Sequence, residues 1–237
     1  PKKSYAEIKN LHKNEFQWKD YLNELKYISR HSTDFPKPSD IHNAIIIATY
    51  NESYDILQPT VQSVLDTTYS NDRIILVIAY EERGGADTEK TVKRLQEEYK
   101  DKFFAFEIVK HPKDLPNEVI GKGGNITYAG RFLQKWLRDK QIKSEDVIVT
   151  TLDSDNRPFY SYFDCLTYQF IVHENRKHMS FQPIALFTNN IWDAPAPMRV
   201  VATGNSFWNV ISSMRPHSIR NFASHSQPMD VLEETDF

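Results

Sequence analysis

The sequence predicts an α/β fold in which a mostly parallel sheet is flanked by helices. Short, wholly apolar runs rich in β-branched residues alternate with segments of helical periodicity, which is typical of parallel strands joined by crossover helices. The runs at 44–48, 74–79 and 147–152 lack the alternation of a half-exposed strand, so we expect them to be buried on both faces. With 237 residues, 40% of them hydrophobic, the chain can form one large domain of this class.

The composition argues against several kinds of protein. A net charge of −3 gives no electrostatic basis for binding nucleic acid, which requires a clustered basic surface. The single cysteine, Cys165, excludes an internal disulfide, and its apolar neighbours predict a buried structural thiol. No stretch approaches the roughly 18 apolar residues of a membrane span, and the basic start lacks the apolar core of a signal peptide. Because the sequence starts without methionine, we expect a fragment of a longer protein.

The first 40 residues are predicted to be an N-terminal helix and a linker. Apolar residues in the segment 4–31 recur on one helical face. The residues that share this face are Ile8, Leu11, Trp18, Leu22 and Leu25. Two prolines at 36 and 38 then form a stiff break, so we place the start of the main domain at residue 41.

From residue 41 to residue 111 the chain is predicted to alternate between strands and helices. The strand at 44–48 precedes a helix with Pro59 in its early turns. The strand at 74–79 precedes a Gly84-Gly85 turn, a helix and a third strand at 103–109. The helix after the glycine turn is predicted to bury its apolar side chains, namely Val92, Leu95 and Tyr99.

After residue 111 the pattern is less regular. Asn125 is placed to cap a helix whose inner face includes Ala129 and Leu133. The strand at 147–152 follows, and then a helix after Pro158. That helix is predicted to bury Phe159, Phe163, Leu166 and Phe170. Beyond residue 180 the sequence is rich in aromatic residues and broken by prolines, so we expect an irregular, substrate-binding half.

Polar and acidic side chains follow three of the predicted strands. Tyr50-Asn51-Glu52 ends the first strand, Glu81-Glu82 ends the second, and Asp153-Ser154-Asp155 ends the strand at 147–152. In an open α/β sheet, ligands bind outside the carboxyl ends of the strands. Two neighbouring carboxylates repel each other unless a positive charge lies between them. The pattern therefore predicts a pocket that holds a cation and a hydroxylated ligand.

The glycine-rich segment 121–125 is a candidate phosphate-binding loop. Its backbone amides and Lys122 could approach a phosphate. Its spacing is not that of a Walker P-loop, and no Gly-x-Gly-x-x-Gly follows the first strand, so a nicotinamide site is not indicated. A simple turn before a helix is the alternative interpretation.

The C-terminal residues contain two candidates for a general base. Glu234 and Asp236 lie in an acidic cluster beside apolar residues, and either carboxylate could deprotonate an acceptor hydroxyl. A solvated chain end is the alternative interpretation.

From about Ile41 to the end, the sequence resembles family 2 glycosyltransferases of the GT-A fold. The run 45–52, Ile-Ile-Ile-Ala-Thr-Tyr-Asn-Glu, resembles the opening strand and Tyr-Asn-Glu turn of that family. The segment 121–125 resembles its Gly-Lys-[Ala/Gly]-Gly-Ala-x-Asn segment, and residues 153–155 resemble its Asp-x-Asp motif. The acidic end resembles its Glu-Asp-x-Asp-Leu signature, with Glu234 where Asp is usual.

The resemblance implies a Rossmann-like GT-A domain over 41–237, with a nucleotide-binding half at 41–157 and a truncated acceptor-side half at 158–237. It implies an inverting transfer from a nucleotide-diphosphate sugar of the UDP or GDP type, with a Mg or Mn ion, to a glycan or lipid-linked acceptor. It also implies a cytoplasmic location at a membrane, reached through segments outside this chain.

By the same resemblance, individual residues receive expected roles. Asp155, with Asp153, would hold the metal ion, and Glu234 or Asp236 would be the catalytic base. The residues expected to bind the nucleotide sugar are Thr49, Tyr50, Glu52, Glu81, Glu82, Lys122, Asn125 and Asp153. Glu81-Glu82-Arg83 stands where the family usually has Asp-Asp-x-Ser, so the nucleobase is not assigned.

Two other functions are compatible with the sequence. A phosphotransferase of the haloacid-dehalogenase kind also has Asp-x-Asp after an apolar strand, with the first Asp as nucleophile. That motif usually follows the first core strand, whereas three predicted strands precede Asp153. A non-catalytic module that binds a nucleotide sugar or a glycan is the other alternative.

Overall fold

A central sheet organises the computed structural model, which describes residues 18–28, 35–116, 121–188, 191–215 and 224–237. Its five strands lie in the order β3-β2-β1-β4-β5. The first four pair in parallel and β5 pairs antiparallel to β4 at one edge. The strands are β1 (His42–Thr49), β2 (Ile74–Glu81), β3 (Ala105–His111), β4 (Val147–Asp153) and β5 (Ser226–Pro228).

Helices connect the strands and cover both faces of the sheet. They are α1 (Trp18–Ile28), α2 (Tyr54–Leu65), α3 (Gly85–Tyr99), α4 (Lys122–Asp139), α5 (Tyr162–Val172), α6 (Ala196–Ser213) and α7 (Met229–Glu234). The predicted α/β class, with a mostly parallel sheet flanked by helices, is confirmed. In the described part of the chain, no helix combines the length and the apolar composition needed to cross a bilayer.

Two apolar layers hold the sheet between the helices. Because side chains alternate along a strand, Ile45 and Ile47 of β1 face one layer, while Ala44 and Ile46 face the other. The first layer packs against α2, α3 and α5, and the second against α4 and α7. This arrangement explains why the central strands are apolar without interruption.

Helix α1 packs on the same core as the sheet. Leu22 is buried in the first layer, and the Trp18 ring lies 5.5 Å from the Tyr168 ring of α5, measured between centroids. The remainder of the predicted N-terminal helix, residues 4–17 and 29–31, lies outside the described residues. The domain boundary at residue 41 stays a prediction.

Three sequence expectations need correction. The third strand runs over Ala105–His111, two residues later than expected. Phe159 is 61% exposed because α5 begins only at Tyr162. The region beyond residue 180 is not wholly irregular, since α6 is a helix of 18 residues. No residue of α6 is buried, and Pro195 and Pro197, which we interpreted as breaks, lie at its N-terminus, where proline is compatible with a helix.

Candidate functional site

The carboxyl ends of β1, β2 and β4 meet at one edge of the sheet. Thr49 of β1 lies opposite Tyr80 of β2, and Ala48 lies opposite Asp153 of β4. The polar residues that follow these strands are therefore neighbours, as the order of strands and helices predicted. The antiparallel β5 adds His225, whose carbonyl accepts a hydrogen bond of 3.0 Å from the amide of Thr151.

A pocket of about 430 Å³ opens at this edge. Its volume lies in the range of small-molecule sites. The residues that line it are Ala48, Glu52, Ile56, Lys122, Asp153, Ser154 and Asp155. The structure thus brings together four of the residues singled out from the sequence, namely Glu52, Lys122, Asp153 and Asp155.

The Asp153-Ser154-Asp155 segment forms a tight turn at the end of β4. The amide of Asn156 donates to the carbonyl of Asp153 at 3.0 Å, and the Asn156 side chain bonds to the hydroxyl of Ser224. Ser154 is buried, whereas Asp153 is half-buried and Asp155 is exposed. The carboxylates of Asp153 and Asp155 therefore line the pocket on either side of the buried Ser154.

Lys122 brings the positive charge that the two carboxylates require. It is the first residue of α4, and its Nζ forms an ion pair with Asp153. Burial lowers the pKa of Lys122, and the negative charges of Asp155 and Glu52 act in the opposite direction. Three carboxylates around the one ammonium group of Lys122 leave an excess of negative charge. An anionic ligand would therefore bind here together with a second cation.

Glu52 stabilises the turn that follows β1. Its Oε2 accepts hydrogen bonds from the Thr49 hydroxyl at 2.6 Å and from the Tyr50 amide at 2.8 Å. Burial would raise the pKa of Glu52, but these bonds outweigh it, and the pKa lies below its ordinary value. The carboxylate of Glu52 is therefore ionised at neutral pH. Thr49 stabilises the loop by donating its hydroxyl to this carboxylate.

A second cluster lies beside the pocket, at the end of β2. Glu81 is buried and pairs with Arg83, whose guanidinium carbon lies 5.6 Å from the centroid of the exposed Tyr50 ring. Glu82 accepts the Lys113 amide at 3.1 Å and pairs with Lys110 at 3.6 Å. Tyr50, Glu81 and Glu82 do not line the pocket itself. The sequence analysis had assigned no role to Arg83.

Asn125 does not cap α4 as predicted, and its side chain instead connects two strand ends. Helix α4 begins three residues earlier, at Lys122, so Asn125 lies within its first turn. The side chain is 1% exposed and donates to the carbonyls of Ala79 at 3.0 Å and Thr49 at 3.4 Å. It thereby holds the ends of β1 and β2 together, behind the pocket.

Glu234 and Asp236 do not lie at the pocket. Because β5 runs antiparallel to β4, it carries the chain from His225 at the carboxyl edge to Pro228, opposite Ile148 near the amino end of β4. Helix α7 begins there, and Asp236 beyond it pairs with Arg131 of α4 at 3.3 Å, with both side chains exposed. The two carboxylates therefore do not line the pocket, and their assignment as the catalytic base stays a prediction.

The carboxylates of the pocket fit a hard divalent cation. Within the described ranges no group of three or more His, Cys, Asp or Glu side chains could hold a metal ion alone. Magnesium is usually held by one or two carboxylates together with the phosphates of a substrate. Asp153 and Asp155 can supply the protein's share of such a site.

A family model described as "Glycosyl transferase family 2" matches residues 44–115, from β1 to the loop after β3. No curated protein gives a significant match.

Solved structures that are similar to this chain include the following three. The mannosyltransferase PcManGT from Pyrobaculum calidifontis, in complex with GDP-Man and Mn2+, is 18% identical; the match covers 92% of this chain and 54% of that one, with a TM-score of 0.51. TarS 1–349 from S. aureus is 14% identical, with coverages of 83% and 49% and a TM-score of 0.46. The glucosyl-3-phosphoglycerate synthase from M. tuberculosis is also 14% identical, with coverages of 89% and 62% and a TM-score of 0.44.

The chain spans about half to three-fifths of the lengths of these structures. The likeness to the mannosyltransferase shows a common fold. Residues 44–115 match the family 2 glycosyltransferase model, and the described chain has the GT-A fold.

Proposed function

We propose that this chain carries the donor site of a metal-dependent, inverting glycosyltransferase. The enzyme would transfer a sugar from a nucleotide diphosphate to a hydroxyl group of a glycan or a lipid-linked acceptor. The observation that carries the proposal is the pocket at the carboxyl ends of β1 and β4, where Lys122 lies among Glu52, Asp153 and Asp155.

The charges of the pocket favour a diphosphate together with a cation. Three carboxylates would repel a diphosphate, and Lys122 alone cannot balance them. A divalent ion held by Asp155 and Asp153 would complete the balance, and it would neutralise charge on the leaving diphosphate. The fold is shared with a mannosyltransferase whose structure contains GDP-Man and Mn2+, which supports a donor of this class.

The residues of the chain have distinct parts in the proposed reaction. Asp153 and Asp155 orient the diphosphate through the cation, and Lys122 donates to the oxygen that gains negative charge as the sugar leaves. The exposed Tyr50 ring, with Arg83 beside it, provides a surface on which a nucleobase can stack.

Inversion requires a base on the opposite face of the sugar, where it activates the acceptor hydroxyl. Glu234 and Asp236 remain the candidates for this base, and because neither lines the donor pocket, one of them would have to reach the sugar from the acceptor side. The acceptor and the location at the cytoplasmic face of a membrane are proposed from the family resemblance.

Calorimetry on matched variants tests the proposal. Wild-type protein, Asp155→Asn and Asp101→Asn are titrated with GDP-mannose and with UDP-GlcNAc, each with and without Mn²⁺. We expect manganese to tighten binding of at least one donor in the wild type and in Asp101→Asn, whose exposed side chain lies after α3. Asp155→Asn should lose this manganese effect. Donor binding that is absent, or that is equal with and without manganese in the wild type, would contradict the proposal.

A further inference from the structure

Ser154, the middle residue of the Asp153-Ser154-Asp155 turn, is anchored through its backbone. Its carbonyl accepts a hydrogen bond of 2.7 Å from the hydroxyl of Thr60. Its side chain lines the pocket together with Glu52 and helps to hold the pKa of that carboxyl below its ordinary value. The turn between the two pocket carboxylates is thus bonded to α2.

The bond from Thr60 is protected from water. Thr60 lies in the middle of α2 and is fully buried. The two partners are 94 residues apart in sequence, so the bond exists only because α2 packs beside the end of β4. A buried hydroxyl that lost its partner would carry the full cost of its desolvation, so this bond strongly favours one position of the turn.

The loop after β1 borders the same turn on the pocket side. Glu52 is fixed by the Thr49 hydroxyl and the Tyr50 amide, and it lines the pocket together with Ser154. The bond from Thr60 therefore fixes the turn from its buried side, while Glu52 lies on the side that is open to a ligand.

The link opposes a force that acts on the turn. Asp153 and Asp155 carry like charges two residues apart, and their repulsion favours conformations that separate the carboxylates. With the Ser154 carbonyl bonded to Thr60, the intervening backbone cannot rotate freely. Side chains that orient metal ligands in this indirect way commonly contribute about 10- to 100-fold to metal affinity.

We propose that Thr60 is a positioning residue, which presets the Asp153-Ser154-Asp155 turn for the cation and the diphosphate by donating its hydroxyl to the Ser154 carbonyl. This inference rests on the proposed function, because it concerns how the same pocket binds its ligands. Thr60 itself touches no reacting atom. Its hydroxyl acts through the backbone of the turn.

The test compares two substitutions at Thr60 that differ in the hydroxyl. Thr60→Val keeps the shape of the side chain and removes the donor, whereas Thr60→Ser keeps the donor. Thr67→Val is the matched control, because Thr67 is also buried but its hydroxyl donates to the Val64 carbonyl at the end of α2. The affinity for Mn²⁺ is measured by calorimetry in the presence of GDP and, separately, of UDP, and thermal unfolding confirms that each variant is folded.

We expect Thr60→Val to weaken Mn²⁺ binding by about 10- to 100-fold. Thr60→Ser should stay within about threefold of the wild type, and Thr67→Val should not differ from it. If Thr60→Val does not fold, Thr60→Ala replaces it, since it also removes the hydroxyl that donates to the Ser154 carbonyl, and it should likewise weaken Mn²⁺ binding relative to Thr67→Val.

Three results would overturn the inference. Equal Mn²⁺ affinities of Thr60→Val and the wild type would do so, and so would a loss in Thr60→Ser as large as in Thr60→Val. When Thr60→Ala is the variant used, wild-type affinity would be the overturning result. In each of these cases the proposed function would stand. A wild-type protein that binds no Mn²⁺ with either nucleotide would instead overturn the proposed function as well.

Discussion

Lys122, the first residue of α4, forms an ion pair with Asp153, the last residue of β4. Lys122 begins the helix that follows β3, a strand separated from β4 by β2 and β1, and both residues line the pocket. In the proposed function, a cation that binds Asp153 would compete with this ammonium group, and a diphosphate would find it already in place. The pair would therefore connect metal binding with donor binding.

Replacing Lys122 tests that connection. We expect Lys122→Met to weaken the binding of GDP or UDP in the presence of Mn²⁺ by about tenfold or more, because a hydrogen bond to a charged group contributes roughly 1.5–3 kcal/mol. Lys135→Met is the control, since Lys135 is exposed on the same helix. Nucleotide titration by calorimetry measures both. Equal losses in the two variants would show that Lys122 does not contact the diphosphate.

The Glu81–Arg83 pair gives a prediction about stability. Glu81 is buried, so Arg83→Ala leaves its carboxylate without the guanidinium partner. Because the Arg83 side chain is 32% exposed, solvent offsets part of the loss, and we expect a decrease of about 1–2 kcal/mol in the free energy of unfolding. Urea denaturation measures this decrease. The double variant with Glu81→Gln should recover part of it, and strictly additive losses would argue against a coupled pair.

Two glycines near the site are expected to respond oppositely to alanine. A Cβ at Gly84 would lie 1.8 Å from the carbonyl oxygen of Tyr50, so Gly84→Ala must displace the loop after β1. We expect a loss of about 1–3 kcal/mol in stability. A Cβ at Gly123, in the first turn of α4, meets nothing within 4 Å, so Gly123→Ala should be neutral or stabilise the protein by up to about 1 kcal/mol. Thermal unfolding of both variants decides the matter, and similar melting temperatures would be the contrary result.

Asp236 gives a prediction about catalysis. Its pair with Arg131 is exposed, so Asp236→Asn should change stability by less than about 1 kcal/mol. Because neither Asp236 nor Glu234 lines the pocket, donor binding should be unchanged in Asp236→Asn and in Glu234→Gln. Calorimetry with a nucleotide sugar checks this. A large loss of donor affinity in either variant would mean that the C-terminal segment reaches the pocket in the bound state.

The stability of the protein should depend on the ionisation of Glu52. Hydrogen bonds hold the pKa of Glu52 below its ordinary value in the folded chain. A carboxyl group of this kind adds stability above the ordinary pKa of glutamate, and that stability is lost as the pH falls through the lowered folded-state pKa. The decrease in stability between neutral and acidic pH should therefore be smaller in Glu52→Gln than in the wild type. Urea unfolding at several pH values measures this, and parallel pH profiles would contradict it.

Much of the fold could be predicted because its signals are local. A buried parallel strand must be apolar on both faces, so the runs around Ile46, Ile75 and Val149 identified β1, β2 and β4. The order of the elements then predicted that the acidic residues after these strands lie together at one edge of the sheet. By contrast, α6 buries no residue and begins at prolines that the sequence pattern presented as breaks, so no helix was predicted there.

The positions of Asn125, Glu234 and Asp236 could not be predicted from local patterns. Each has a residue type suited to the predicted role, but the partners that decide its position are distant in sequence. The carbonyls of Ala79 and Thr49 hold the Asn125 side chain behind the pocket. The antiparallel β5 leads the chain to Pro228, opposite Ile148, and Asp236 pairs with Arg131 of α4.

The sequence by itself determined the class of the fold, the edge of the sheet at which a ligand binds, and the residues Glu52, Lys122, Asp153 and Asp155 that meet there. Hydrophobic periodicity and the chirality of strand–helix–strand connections suffice for these features. Only the tertiary structure decided that Lys122 pairs with Asp153, that Thr60 holds Ser154, and that the C-terminal acids lie elsewhere. These contacts join segments far apart in the chain, and their geometry depends on how the helices pack on the sheet.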